Sequence, residues 1–377
     1  MSDIGSRSQV ARPATQLPVN AYFDASVYAE ELDRLFAQGP RYIGHELAVP
    51  EVGNYYALPQ EEHGRALVRR SEGSQGVELI SNVCRHRQAI MLQGRGSTGR
   101  NIVCPLHRWT YDLKGELVGA PHFADTPCLN LQRFPLKSWK GLLFEDQNSM
   151  QAAEALRELE TSKFARYFDF SGYQLHHVEL HECKYNWKTF IEVYLEDYHV
   201  VPFHPGLGQF VNCGSLKWEF GKHYSVQTVG IRESLQKPGS KTYEIWHEQC
   251  RHWFGDELPE FGAVWMTLYP NVMLEWYPGV ITVSTLHPMG PDRTLNVVEF
   301  FYPEEIALFE PEFVQAQQAA YMETAREDDE IAERMDAGRR RLLARGVNEV
   351  GPYQSPFEDG MQHFHEWLRR ELKLNAE

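Results

Sequence analysis

Nowhere in its 377 residues does the chain string together the roughly 18 uninterrupted apolar residues that a membrane-spanning helix needs, so no membrane span is expected. The opening residues, MSDIGSRSQVARP, have no apolar stretch behind their basic residues, which makes a secretory signal unexpected and the cytoplasm the default location. Positive charge is also in short supply: 37 Lys and Arg stand against 52 Asp and Glu, a formal net charge of −15. Nucleic acid is therefore not expected as a partner, since phosphate binding wants clustered Lys and Arg. An acidic surface suits solubility, or docking to a basic patch on another protein. Cysteine is scarce too. The six residues Cys84, Cys104, Cys128, Cys183, Cys213 and Cys250 are too few for a disulfide scaffold in a chain this long.

What is present is an ordinary globular composition, 42% hydrophobic and 24% charged, at a length that allows two or three domains. SVYAEELDRLFAQG is amphipathic at helical spacing and closes at Gly39-Pro40, so 1–40 reads as an N-terminal helical segment. Residues 41–150 change character: short strand-like runs such as YYALP, RALVRR, VELISNV and GLLFED alternate with Gly, Pro and Asp turns, the pattern of a compact all-β domain. In 151–377 the strand-like QLHHVELHECKYN leads into a helix, WKTFIEVYLEDYH, expected to stop at Pro202. Strands follow, clearest in AVWMTLYP, VMLEWYP, VITVSTLHP and TLNVVEFFYP. A long helix over about 310–345 and a shorter one in FEDGMQHFHEWLRREL complete the chain. An antiparallel sheet with helices on one side accounts for this half, and the fold class is α+β.

Only Cys84 and Cys104 have histidines at short spacing. Cys84-Arg-His86 and Cys104-Pro-Leu-His107 are separated by residues 87–103, and each short motif supplies one thiol and one imidazole. A Rieske [2Fe–2S] centre uses this set, with two Cys on one iron and two His on the other. Zinc also accepts two Cys and two His, but in zinc sites the ligands of a pair are usually about two to five residues apart, and a single tetrahedral ion would not call for one ligand of each kind from each loop. Gly94-Arg-Gly96-Ser-Thr-Gly99, between the two loops, matches GxGxxG by letter. Strand-like NIVC follows it instead of a helix, so no dinucleotide site is expected there.

A second constellation lies about Pro202. Glu192, Glu196 and His199 fall at helical spacings of four and three, and His204 follows from the turn beyond. Two histidines at a helix end can fill adjacent positions on one metal, and a third ligand would complete a facial triad with open positions, as in non-haem Fe(II) oxygenases. Alone, such a pair in an aromatic segment is more often an ordinary packed one.

Together, Cys84, His86, Cys104 and His107, followed by Asn186-Trp187-Lys188 and Glu196-x-x-His199-x4-His204, resemble the α subunits of Rieske non-haem iron oxygenases, the aromatic-ring-hydroxylating dioxygenases and their relatives. The resemblance runs from about residue 20 to the closing HFHEWLRREL. It implies a Rieske [2Fe–2S] domain over 41–150 beside a helix-grip catalytic domain over 151–377, with segment 1–40 packing on the latter, in head-to-tail homotrimers. His199 and His204 become ligands of a mononuclear Fe(II). The family's late-helix pattern Glu-Asp-x-x-Ile-x-Glu-x-x-Gln-x-Gly fits Glu327 to Gly338, with Asp336 in place of the usual Gln. That alignment selects Asp328 as third ligand, with Asp329 the alternative, and leaves Glu327, Asp329 and Glu330 as a solvated helix face. Glu196 matches the acid, most often Asp, that bridges to a cluster histidine of the next subunit, here His107. The family's carnitine oxygenase also has Glu there, a hint toward quaternary amines alongside aromatic substrates.

The cluster also departs from respiratory Rieske proteins. Where these carry an extra cysteine in each loop the chain has Ala89 and Leu106, and their serine is Trp109, while Tyr111 keeps the tyrosine. Fewer hydrogen bonds to the sulfurs imply a lower reduction potential. The implied activity is that of a terminal oxygenase: O2 and electrons from a separate NAD(P)H-dependent reductase, directly or through a ferredoxin, serve to hydroxylate, dihydroxylate or demethylate a small organic substrate. Phe210, Trp265, Tyr269, Trp276 and Tyr277 are candidate pocket walls. The competing readings are a Rieske electron carrier, which has no use for His199, His204 or the acidic helix, and a zinc-stabilised binding module.

Overall fold

Residues 261–268, FGAVWMTL, show how the C-terminal half is built. Val264, Met266 and Leu268 face one core and Ala263 and Trp265 another, the period-two alternation of a strand buried on both faces. Seven such strands pair antiparallel in the order Tyr173–Cys183, Arg293–Pro303, Val280–Gly290, Val272–Tyr277, Phe261–Leu268, Tyr224–Ile231, Val211–Phe220. The computed structural model describes residues 15–60, 63–232, 235, 237–255 and 257–373.

One face of this sheet carries helices, chiefly Lys241–Phe254 and the long Pro311–Ala344. The sequence reading left the other face bare; in the structure the N-terminal β domain covers it. Tyr42, Ile43, Leu67, Leu79 and Phe144 share a core with Met266, Leu274, Ile281, Val283 and Phe301. That is why these strands read as nearly continuous apolar runs.

The β domain contains a five-stranded sheet, ordered Arg95–Ser97, Asn54–Ala57, Arg65–Arg69, Val77–Ser81, Arg133–Phe134, and two sheets of three strands. The GxGxxG letters are spent on turns: Gly94 and Gly99 have φ of 61° and 66° and flank the strand Arg95–Ser97. A Cβ at Gly96 would lie 2.9 Å from the Tyr55 hydroxyl. No helix follows.

Of segment 1–40, residues 1–14 fall outside the described residues. The remainder forms the short helices Asn20–Phe23 and Ala25–Glu31 and a π-helical turn, Leu32–Phe36. Leu17, Tyr22 and Leu35 pack with Trp187, Ile191, Phe364 and Trp367 of the C-terminal half. Glu31, fully buried, accepts hydrogen bonds from Trp187 Nε1 at 2.9 Å and Lys188 Nζ at 2.6 Å.

One helix ends earlier than its spacing implied. It spans Trp187–Tyr194, N-capped by Asn186, whose side chain accepts from Lys188 N. It does not run on to Pro202, which sits inside a separate short helix, Val200–Phe203, where a first-turn proline loses no hydrogen bond. The C-terminal segment takes over the freed backbone groups: Met361 N donates to Leu195 O and Asp197 N donates to Phe357 O, each at 3.1 Å. Glu196 and His199 therefore stand on a turn. Glu192 alone stays on the helix, facing Arg339 and His365. Among the described residues no helix is long and apolar enough to cross a membrane.

Candidate active site

The two cluster loops have the same backbone. Cys84 N and Cys104 N donate to Ala89 O and Trp109 O, and Gln88 N and Arg108 N return to the two cysteine carbonyls. Each loop turns through a non-glycine residue with positive φ, Gln88 at 55° and Arg108 at 62°. Cys84 and Cys104 are buried side by side, and burial raises the Cys104 thiol. His86 and His107 lie toward the surface with their Nδ1 atoms 3.1 Å apart. The sets of three or more donors mutually within 4.8 Å among the described residues do not include these four. A thiol pair set apart from an imidazole pair suits two irons better than one tetrahedral ion. Tyr111 places its hydroxyl 3.6 Å from Cys84 Sγ, and the Trp109 indole stacks on His86 at 4.8 Å between ring centroids.

The second site draws on three elements. His199 and His204 come from the turn and short helix after Trp187–Tyr194, and Asp328 from the middle of the long helix. The two Nε2 atoms stand 3.0 Å apart, and Asp328 Oδ1 is 3.3 Å from the first and 2.9 Å from the second. Both outer nitrogens face carboxylates: His199 Nδ1 bonds Glu196 Oε1, and His204 Nδ1 lies 2.7 Å from Glu327 Oε2. Such bonds fix the Nδ1–H tautomer and leave Nε2 free for a metal. Burial opposes charge on His199, but Asp328 and Glu196 outweigh it and raise the ring to about 10. Asp328 is held below the usual carboxylate range by the two histidines, against the effect of burial. This surplus of negative charge about two imidazoles is what a divalent cation fits.

Asp329, one residue along, points about 100° around the helix. Its carboxylate bonds His181 Nε2 and Tyr185 Oη, each at 2.8 Å. Glu327 and Asp329 are thus partly buried and partnered, not a freely solvated face; Glu330, exposed and paired with Arg334, is one. The structure brings Asp328, and not Asp329, to His199 and His204.

A cavity of about 110 Å³ opens beside these three residues. Since one water needs roughly 10–15 Å³, it holds a ligand of several heavy atoms. Phe210, Trp265 and Tyr277 line it. Tyr269 and Trp276 do not: Tyr269 packs on Phe364 and Trp367, and Trp276 on Tyr167. The walls also carry four acids, Glu196, Asp197, Glu275 and Asp328, and none is Lys or Arg.

Two family models match the chain: a Rieske [2Fe-2S] domain over residues 28–135 and the catalytic domain of the ring-hydroxylating alpha subunit over residues 165–374. The chain belongs to the Rieske ring-hydroxylating oxygenases. It is 64% identical over 370 residues to the putrescine 2-hydroxylase of Ralstonia nicotianae, covering 98% of this chain and 99% of that one. It is 58% identical to the putrescine 2-hydroxylase of Bordetella bronchiseptica, covering 98% and 87%, and 28% identical to the chloroplastic choline monooxygenase of Spinacia oleracea, covering 94% and 78%. In fold it resembles a quaternary ammonium Rieske monooxygenase that oxidises carnitine, with a TM-score of 0.74 at 18% identity over 96% of this chain and 95% of that one.

As a Rieske oxygenase the chain is an enzyme with a [2Fe–2S] cluster and a mononuclear iron, fed by a separate electron-transfer protein and acting on a small organic substrate. Sequence reading had passed over several residues of its site. Gln317, Tyr321 and Thr324 were missed; they lead at spacings of four, three and four to Asp328, which had been named, and the stripe marks one face of the long helix turned to the cavity. Glu275 was visible as one acid in the apolar strand VMLEWY.

Proposed function

We propose that this oxygenase hydroxylates a small aliphatic amine, with putrescine the leading candidate. The observation that carries the reading is the acidity of the cavity: four acids, Asp328 among them, and no Lys or Arg line it. Its aromatic walls would serve an aromatic or neutral substrate too, but only a protonated amine would supply the buried acids with a cation. The identity to two putrescine hydroxylases supports the same choice.

On this reading Cys84, His86, Cys104 and His107 hold the cluster, and His199, His204 and Asp328 hold mononuclear Fe(II). When bound, these groups supply single electrons and oxygen activation. The overall balance inserts one atom of O2 into a C–H bond and releases the other as water, consuming two electrons and two protons. Glu196 and Glu327 orient the iron-binding imidazoles. The aromatic walls exclude bulk water and limit the length of chain admitted.

Glu196 is further assigned to bridge His199 to His107 of a neighbouring subunit in a head-to-tail homotrimer. Exposed apolar side chains at both ends of that path support a buried contact: Ile90, Val103 and Leu106 beside the cluster histidines, and Tyr198 and Val201 beside His199. The chain divides into 1–40, 41–150 and 151–377, and an NAD(P)H-dependent reductase, directly or through a ferredoxin, is the electron source. Oxygen uptake with a surrogate reductase, across aliphatic diamines, quaternary amines and aromatic acids, tests the substrate class. Diamines should stimulate uptake most. Stimulation by aromatic acids alone would reject the reading.

A further inference from the structure

Glu275 is a carboxylate with no evident purpose in the fold. It sits on the strand Val272–Tyr277, is 2% exposed, and lines the cavity. A buried acid ordinarily has a cationic partner. Glu275 instead receives neutral hydroxyls: Tyr277 Oη donates to Oε2 at 2.8 Å and Tyr321 Oη to Oε1 at 3.2 Å. Burial pushes its carboxyl up to about 7, because the hydroxyls around it do not replace a charge.

Its surroundings have the form of a cation box. Trp265 Nε1 donates to Tyr277 Oη at 2.9 Å, which fixes the phenol in place. The Trp265 and Tyr277 rings stand at 75° with centroids 6.1 Å apart, and Tyr277 and Tyr321 at 89° and 6.5 Å. Aromatic rings set at steep angles beside one carboxylate offer a cation π-electron density together with a negative charge. The Tyr194 hydroxyl, also on the cavity wall, is buried with no hydrogen-bond partner in the protein.

We infer that Glu275, with Trp265, Tyr277 and Tyr321, forms the ammonium-binding end of the substrate cavity and takes one protonated amine of an aliphatic diamine. The inference rests on reading the cavity as the site of an amine hydroxylase. It adds which residue recognises the amine, at a place apart from the His199, His204 and Asp328 cluster. A chain anchored there extends within the same cavity toward that cluster, so Glu275 selects for charge at one end of the molecule while chemistry occurs along the carbons.

The test compares Glu275→Gln with wild-type protein, both carrying their iron and cluster, by calorimetric titration with 1,4-diaminobutane and with butane-1,4-diol. Wild type should bind the diamine and not the diol. Glu275→Gln should weaken diamine binding by roughly 30-fold or more, as loss of one member of a buried charge pair does, and should raise KM far more than it lowers kcat. Glu275→Asp keeps the charge but withdraws it by one methylene. It should weaken binding less, and it serves if Glu275→Gln does not fold. Undiminished diamine affinity in both variants, with diamine turnover intact, would overturn the assignment of Glu275 and leave the function standing. A wild-type protein that oxidises some other substrate and binds no amine would overturn the function itself, and the assignment with it.

Discussion

His199 and His204 each turn one nitrogen to a carboxylate and the other toward Asp328, so the outer acids determine how firmly the inner nitrogens are presented. Glu327→Gln keeps the shape beside His204 Nδ1 but removes the charge that raises its basicity. Affinity for Fe(II) should fall by about 10- to 100-fold while the cluster's visible spectrum is unchanged. Iron titration of the stripped protein measures this, and equal affinity would mean that Glu327 is a bystander. His199→Ala and His204→Ala should likewise retain the cluster and lose mononuclear iron, since each site sits against a separate apolar cluster, Ile80, Ile102 and Tyr111 behind the cluster loops and Val200, Leu207 and Phe210 beside the histidines. Glu275 gives a pH signature. Its folded value of about 7 lies above the roughly 4.3 of an unfolded glutamate, so the native state holds a proton that the unfolded chain gives up. The stability it permits is fully present below about pH 4 and declines as pH rises through 7. Without amine, Glu275→Gln should gain on wild type by roughly 2–3 kcal/mol between pH 5 and pH 8. Parallel stability profiles for the two proteins would show that Glu275 is ionised throughout.

The long helix carries Asp328 at its middle and needs a fixed register against the elements that carry the histidines. Asp336 supplies one: it accepts from Asn186 N at 2.8 Å and Thr189 Oγ1 at 2.6 Å, tying the helix to the first turn of Trp187–Tyr194. Arg339 adds a second tie, to Glu192 at 2.6 Å. Asp336→Ala leaves a buried N–H and hydroxyl without their acceptor and should cost about 2–4 kcal/mol in urea unfolding, with weaker iron retention. An unchanged midpoint would reject this role. These elements also show what the sequence discloses. The helix positions were legible because apolar residues repeat at three and four, and the cluster loops because Cys and His ligands have restrictive spacing. Spacing could not show that the Trp187 helix stops at Tyr194, because distant groups, Phe357 O and Met361 N, end it. Nor could it show that Glu327 and Asp329 turn inward, since their partners His204, His181 and Tyr185 lie more than a hundred residues away in sequence. Asp328 could be separated from Asp329 only by the family's pattern, until the helix phase placed it.

At the scale of the molecule, the cluster and the iron site occupy different domains, and the cluster presents its histidines outward. In the proposed trimer Glu196 connects them across the subunit contact. Glu196→Ala, loaded with excess Fe(II) to offset a weaker hold through His199, should keep its cluster and oligomer and still accept electrons from the reductase, while reoxidation of the reduced cluster slows by orders of magnitude with O2 and substrate present. Reoxidation at the wild-type rate would put the bridge elsewhere, and an iron site that excess Fe(II) cannot refill would make Glu196 a ligand. A single turnover tests amine hydroxylation most directly. Protein with both centres filled is chemically reduced, freed of reductant, and mixed with 1,4-diaminobutane and 18O2, and the products are examined by mass spectrometry. The expected product is a hydroxylated diamine carrying one 18O atom on a carbon of the chain. Recovery of the diamine unchanged, with cluster and iron both oxidised, would contradict it.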